Sequence, residues 1–271
     1  MSGPCDSGRL PAPSSIRDGA LLCAWLSAAL AGREPPDSLL DALSRLAILP
    51  PTGTSWVDII AVARAARDAA RMPAASPALV LPRPGDARGR RDVPRGAFET
   101  GVAVLLGGEG GSAHLLVPGE RTWLGAERER SPVASAGAPA AGEDRAGERQ
   151  PPTPSEADLA LRGAVLAATT ALEESATPLP RPPDAREWQA LVRSWEEAPW
   201  PASSGASPDV ALGIRAARIL SAVDAARARP RGLTAADDAR ERSALEDVDR
   251  AARDAIEVAF SACHEEGPGP R

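Results

Sequence analysis

The sequence contains no lysine and no tyrosine, and all 31 of its basic residues are arginine. A Walker A loop and a protein kinase each need a lysine that contacts nucleotide phosphates, and Schiff-base enzymes need a lysine amine as nucleophile. Without tyrosine there is also no phenol to act as an acid. The composition therefore excludes these mechanisms.

Histidine and cysteine are nearly as scarce, with two and three copies. Cys5, Cys23 and Cys263 are far apart, and no pair has the spacing of a structural zinc site. Cys263 and His264 are adjacent, so on a helix they would point about 100° apart, and such neighbours rarely chelate one metal. We predict no metal, no cofactor and no catalytic residue. Three cysteines make no disulfide framework, which favours a reducing, cytoplasmic location.

The apolar stretch 19–31 ends in Ala29-Leu30-Ala31, which resembles a signal-peptidase site. Its larger residues share one helical face, however, and the residues before it are not clearly basic, since Asp6 and Asp18 offset two arginines. We therefore predict an amphipathic helix that begins at a Ser15-x-x-Asp18 capping box, with a signal peptide as the alternative. No other segment approaches the ~20 apolar residues of a membrane span.

Composition and charge divide the chain into three parts. Residues 1–124 are close to neutral, and residues 155–271 hold 14 arginines against 20 acidic residues. Between them, residues 125–154 contain Val133 as their only large aliphatic side chain, which cannot offset the entropy cost of ordering the backbone. We predict an α+β module, a disordered linker and a C-terminal antiparallel helical bundle, so the fold class is α+β.

In the first part, helical periodicity gives way to short β-like runs. The runs 102–106 and 114–117 flank a glycine-rich turn and predict a hairpin in a small antiparallel sheet. Residues 79–81 supply a third strand, and residues 121–124 would complete the sheet. The pattern Gly108-x-Gly110-x-x-Ala113 resembles a dinucleotide-binding loop, but no helix can follow it, so the hairpin is favoured.

The last part is predicted to be helical throughout. We predict capping boxes at Ser155-x-x-Asp158 and Thr234-x-x-Asp237, which would begin the first and the last helix of the bundle. Acidic residues with arginine three or four positions away, such as Asp249 and Arg253, are expected to be ion pairs on solvated helix faces rather than a metal site.

A loop rich in arginine follows the first strand. Its five arginines against two aspartates, Asp86 and Asp92, give it a net charge of +3 in a chain whose net charge is −6. Guanidinium groups bind phosphate and carboxylate groups through two hydrogen bonds at once. We predict an anion-binding element here, and the alternative is a solvated loop whose arginines pair with the chain's own acids. The residues concerned are Arg83, Arg88, Arg90, Arg91 and Arg95.

The run Leu79-Val-Leu-Pro-Arg-Pro-Gly-Asp86, then Arg88-Gly89 and Ala97-Phe98 leading into Val102–Leu106, resembles a family of uncharacterised proteins from high-GC actinobacteria. The resemblance covers about thirty residues around 79–106. Proline is common in that family where Ala87 stands here. The resemblance implies no activity, cofactor or catalytic residue.

Two tryptophans, Trp188 and Trp195, lie on one face of a predicted helix together with Leu191 and Val192. Tryptophan is common at protein interfaces, so this face is a candidate contact with a partner or with the bundle; core packing is the alternative.

These observations favour a non-enzymatic interaction or regulatory protein whose partner is another protein or a small anion. One alternative is a hydrolase or transferase that binds a phosphorylated or carboxylated small molecule, with Asp86, Asp92 or Glu99 as base. Another is a nucleic-acid accessory factor, which the lack of interleaved aromatic residues makes a weaker hypothesis. The sequence leaves open whether the two halves dock.

Overall fold

The computed structural model describes residues 13–70, 77–83, 95–106, 113–118, 123–128, 152–173, 185–204, 207–227 and 234–261. These residues form eight helices and four strands. In chain order they are α1 (Pro13–Leu30), α2 (Pro36–Arg45), α3 (Trp56–Ala70), β1 (Ala78–Val80), α4 (Arg95–Thr100), β2 (Ala103–Leu106), β3 (Ala113–Pro118), β4 (Trp123–Arg128), α5 (Pro154–Glu173), α6 (Ala185–Glu196), α7 (Pro208–Arg227) and α8 (Ala235–Phe260).

The four strands form one antiparallel sheet in the order β1-β2-β3-β4. The predicted hairpin is present as β2 and β3, with Leu105 opposite Leu115. The fold class α+β is therefore confirmed. β4 continues to Arg128, past the boundary at residue 124 that composition predicted, because pairing with β3 stabilises residues that have little apolar surface of their own.

Helix α1 is buried between the sheet and the C-terminal helices. A Cβ on Gly19 would lie 2.6 Å from the Val102 side chain, so the glycine lets the helix approach the sheet closely. On the other side, the Cys23 thiol donates a hydrogen bond to the Phe260 carbonyl (2.8 Å) and the Trp25 indole donates one to the Pro199 carbonyl (2.7 Å). Buried residues of both halves thus share one hydrophobic core.

The outer edge of β1 is covered by the last turn of α8. The Leu79 amide donates a hydrogen bond to the Ser261 hydroxyl (3.2 Å), and the Leu81 amide donates one to the Glu257 carboxylate (2.6 Å). An uncovered edge strand offers its N–H groups to other chains, and side-chain acceptors remove that risk. The C-terminal helix is therefore part of the sheet's architecture.

Helices α5, α7 and α8 pack against one another, and α6 packs on α7. Three aromatic rings meet at the end of this group: Trp200 stacks on Phe260 at 5.1 Å, and Trp195 lies within about 6 Å of both. A Cβ on Gly213 would collide with the Phe260 ring, so glycine is needed at that point of α7.

The helix starts partly follow the predicted caps. Thr234 caps α8 as expected, since its hydroxyl accepts a hydrogen bond from the Asp237 amide. Helix α5 begins two residues earlier than the Ser155 box predicts, because Thr153 and Glu156 form the reciprocal pair of hydrogen bonds instead. Helix α1 begins at Pro13, before the predicted cap at Ser15.

The predicted linker, residues 125–154, lies largely outside the described residues, which resume at residue 152. None of the helices described combines the length and hydropathy that crossing a membrane requires.

Candidate functional site

The most unusual polar feature of the described residues is a buried carboxylate on α8. Asp249 is only 5% exposed, and three guanidinium groups surround it. Arg253, one turn further along α8 and 4% exposed, places Nε 3.2 Å from Oδ1. Arg227 from α7 places Nη1 3.3 Å from the same oxygen, and Arg83 places Nη1 3.5 Å from Oδ2. We call these four residues, with Asp224 on α7, the Asp249 cluster.

Arg83 connects this cluster to the sheet. It follows β1 in the chain, and its Nη2 donates hydrogen bonds to the backbone carbonyls of Asp249 (3.1 Å) and Arg250 (2.8 Å). Its side chain is 17% exposed. One side chain thus binds a carboxylate and two helix carbonyls together, and it fixes the start of the arginine-rich segment, residues 83–95, on α8.

Asp224 experiences opposing influences. Burial raises the pKa of Asp224 above its ordinary value; Arg253 and Arg227 lower it, and the neighbouring Asp249 raises it. Its Oδ1 is buried and finds no hydrogen-bond partner among the described residues. The negative charge of Asp224 is therefore less well compensated than that of Asp249, because the arginine side chains contact Asp249 directly.

The cluster lies beside a cavity of about 150 Å³ between the end of α7 and the first half of α8. Arg227 lines this cavity and also contacts Asp249, so its charge is already compensated. The other charged residues of the lining include three acids and a single arginine. Excess negative charge makes the cavity a poor site for an anion. The charged lining residues other than Arg227 are Asp238, Glu241, Arg242 and Glu246.

The structure places the sequence-predicted arginines unequally. Arg83 contacts the chain's own Asp249 and two carbonyls, which agrees with the alternative that some arginines of the loop pair within the protein. Arg95 is the first residue of α4. Arg88, Arg90 and Arg91 lie outside the described residues. The structure thus places the two ends of the arginine-rich segment, Arg83 against α8 and Arg95 at the start of α4.

The two tryptophans also differ. Trp195 is 2% exposed and belongs to the shared hydrophobic core, where it packs near Trp200 and Phe260. It therefore contacts the rest of the bundle, and a partner could reach it only after local opening. Trp188 is half-buried, so of the two it alone has surface for a contact outside the chain.

Sequence reasoning missed the cluster. Asp249 and Arg253 were expected on a solvated helix face, and that expectation is wrong because both are nearly inaccessible to water. A spacing of four residues occurs in exposed and in buried ion pairs alike, so the spacing alone could not show that this pair is buried. The available signal was the position of both residues among Leu245, Val248 and Ala252, which form the buried side of α8.

Groups of acidic, histidine or cysteine side chains that could hold a metal ion are absent from the described residues. Glu99, one of the residues considered as a general base, lies exposed on α4; Asp86 and Asp92 lie outside the described residues. The described part of the chain therefore adds no geometric support for a catalytic site.

Comparison with known proteins finds a similarity in the N-terminal part of the chain. Neither a curated protein nor a solved structure matches the chain. A family model described as the N-terminal domain of Rv1486c-like proteins matches residues 19–130, a range that runs from within α1 past the end of β4. That range includes residues 79–106, so the resemblance noted from the sequence is confirmed, and this N-terminal part of the chain is similar to the Rv1486c-like N-terminal domain family.

Proposed function

We propose that this protein is a non-enzymatic interaction or regulatory protein, and that its arginine-rich segment recognises an acidic surface on a partner protein. The observation that carries the proposal is the attachment of Arg83 to α8 through Asp249 and two carbonyls. Residues 84–94 therefore start from a fixed point, and they end at another where α4 begins at Arg95. Fixing both ends lowers the entropy lost when such a segment binds.

Charge supports an anionic partner. With Arg83 used inside the protein, Arg88, Arg90, Arg91 and Arg95 remain against Asp86 and Asp92, which leaves the segment at +2. The nearby cavity between α7 and α8 has the opposite character, so the segment is the better candidate for anion recognition. Arginine suits this task because its planar group binds a carboxylate through two hydrogen bonds.

A partner protein is favoured over nucleic acid for two reasons. The segment contains no aromatic residue on which a base could stack. The chain as a whole has a net charge of −6, which repels a polyanion at long range, whereas a compact acidic patch experiences mainly the local charge.

Fluorescence anisotropy of a labelled peptide that carries a compact patch of four glutamates, titrated with the full chain at several salt concentrations, tests the proposal. The triple variant R88E/R90E/R91E should weaken binding at least 10-fold. The control is R33E/R45E/R64E, which changes net charge by the same amount at exposed positions elsewhere. The control should keep the melting temperature within a degree or two, because its three positions are exposed and such substitutions cost little. The proposal requires the same of R88E/R90E/R91E.

Three results would contradict the proposal: no binding of the peptide by the unmodified chain, equal loss in the two triple variants, or tighter binding of duplex DNA than of the peptide. Inorganic pyrophosphate provides a separate titration. Pyrophosphate binding that competes with the peptide would place both at the same arginines, whereas pyrophosphate binding alone would replace the protein partner with a small anion.

A further inference from the structure

Helix α5 carries an apolar face that no described residue covers. Its inner side packs on α7 and α8 through Ala157, Leu161 and Ala168. On the outer side Leu159 is 72% exposed and Leu166 is 70% exposed, the highest values among the large apolar residues described. A helix that is apolar on both sides is normally buried on both sides.

The exposed residues form a continuous stripe. Positions 159, 163, 166 and 170 are spaced by four, three and four residues, so they follow one line along the helix, with Ala160 and Ala167 beside it. All six are exposed. We call them the α5 stripe: Leu159, Ala160, Gly163, Leu166, Ala167 and Thr170.

Several polar groups near the stripe already have partners within the chain. The Thr170 hydroxyl donates a hydrogen bond to the Leu166 carbonyl (3.1 Å), which leaves its methyl group as the remaining contact surface. The charged neighbours Asp158 and Arg162 form an ion pair at 2.6 Å, and Asp158 also pairs with Arg215. These ion pairs on the flank of the stripe can therefore stay in place when the stripe itself is covered.

No contact within the described chain explains why residue 163 is a glycine. A Cβ there would meet no atom within 4 Å, and the residue has no positive φ. Glycine inside a helix costs about 1 kcal/mol relative to alanine. At the centre of an exposed apolar stripe, it would allow another backbone to approach closely.

The segments outside the described residues are poor candidates for covering the stripe. Each contains at most one or two large apolar side chains, and where there are two, Met1 and Leu10, they are too far apart to span neighbouring turns. A second molecule is therefore a better source of an occupant with two closely spaced leucines than any of these segments.

We propose that the α5 stripe is the contact of a homodimer in which two α5 helices cross antiparallel at Gly163. Leu159 and Leu166 lie about 6 and 4.5 Å along the axis on either side of Gly163. An antiparallel copy therefore places Leu159 of one chain beside Leu166 of the other, which makes the patch self-complementary, as two-fold symmetry requires. The Asp158–Arg162 pair beside the stripe has no net charge, and the exposed acids that continue its line, Glu156 and Glu173, lie at the two ends of α5 away from the crossing point.

Sedimentation velocity of the full chain from 1 to 100 µM tests the proposal. We expect a monomer–dimer equilibrium, and the variant L159E/L166E should raise the dissociation constant by roughly 100-fold or more, since two buried leucines are lost on each side. The control is V57E, which places a glutamate at another exposed apolar position (60% exposed) on α3 and should leave the equilibrium unchanged. Circular dichroism checks that each variant is folded.

Cysteine cross-linking tests the geometry. In a C5S/C263S background, G163C should form an intermolecular disulfide under mild oxidation, because the two copies of residue 163 would lie near the symmetry axis. A mixture of L159C and L166C chains should cross-link to each other more than to themselves. A monomer at every concentration, a dimer unaffected by L159E/L166E, or preferential L159C self-cross-linking would each overturn the proposal.

Discussion

The contacts of Asp249 with three arginines predict that its charge contributes strongly to the stability of the fold. The variant D249N keeps the shape of the side chain but removes its charge, and it leaves Arg253, at 4% exposure, buried without its carboxylate. Removing one partner of a buried ion pair typically costs 3–5 kcal/mol. Arg83 and Arg227 also lose their shared acceptor, so we expect about 3–5 kcal/mol of lost unfolding free energy, a large fraction of the 5–15 kcal/mol typical of a folded protein.

Urea denaturation monitored by tryptophan fluorescence measures this loss, and the buried Trp195 and Trp56 provide the signal. The matched control is D247N on the same helix, whose Asp247–Arg250 pair is half exposed; it should cost less than about 1 kcal/mol. Hydrogen exchange should also show faster exchange around Arg83 in D249N. If D249N and D247N lower the urea midpoint equally at constant slope, the cluster does not stabilise the fold and the reasoning is wrong.

Two further predictions concern α7. The variant G213A should lower the free energy of unfolding, followed by thermal denaturation, by about 1–3 kcal/mol because the new methyl group meets the Phe260 ring. The control G163A, on the open face of α5, should not destabilise the protein at low micromolar concentration. The variant D224N should be more stable than the unmodified chain at pH 7 but not below about pH 4. Because the pKa of Asp224 is raised, the folded state binds the proton of this carboxyl more tightly than the unfolded state does. The stability of the unmodified chain therefore falls as the pH rises from the ordinary aspartate pKa through the pKa in the folded state. If D224N changes the melting temperature by the same amount at pH 7 and below pH 4, the pKa of Asp224 is not raised in the folded state and the reasoning is wrong.

Local patterns predicted much of the fold. Glycine-rich spacing between two apolar runs was enough to predict the β2–β3 hairpin, and the Thr234 and Asp237 pair marked the start of α8, because both depend on residues close in the chain. The short helix α4 was missed. With six residues it is too short for helical periodicity to reveal, and it packs on β3.

Contacts between distant residues could not be predicted in the same way. The sequence left open whether the two halves dock, and they meet through α1 and α8, whose contact at Cys23 and Phe260 depends on tertiary packing. The arginine-rich segment was identified from charge alone, but charge does not show which guanidinium is used internally. Only the position of α8 reveals that Arg83 binds Asp249.

The same contact between α1 and α8 has a consequence for biosynthesis. Cys23 and Phe260 are 237 positions apart, so α1 leaves the ribosome long before the helix that covers one of its sides. At about 5–20 residues per second, the delay is roughly 12–47 s. During that interval the side of α1 that α8 covers lacks its final packing partner, and transiently exposed apolar surface of this kind favours aggregation.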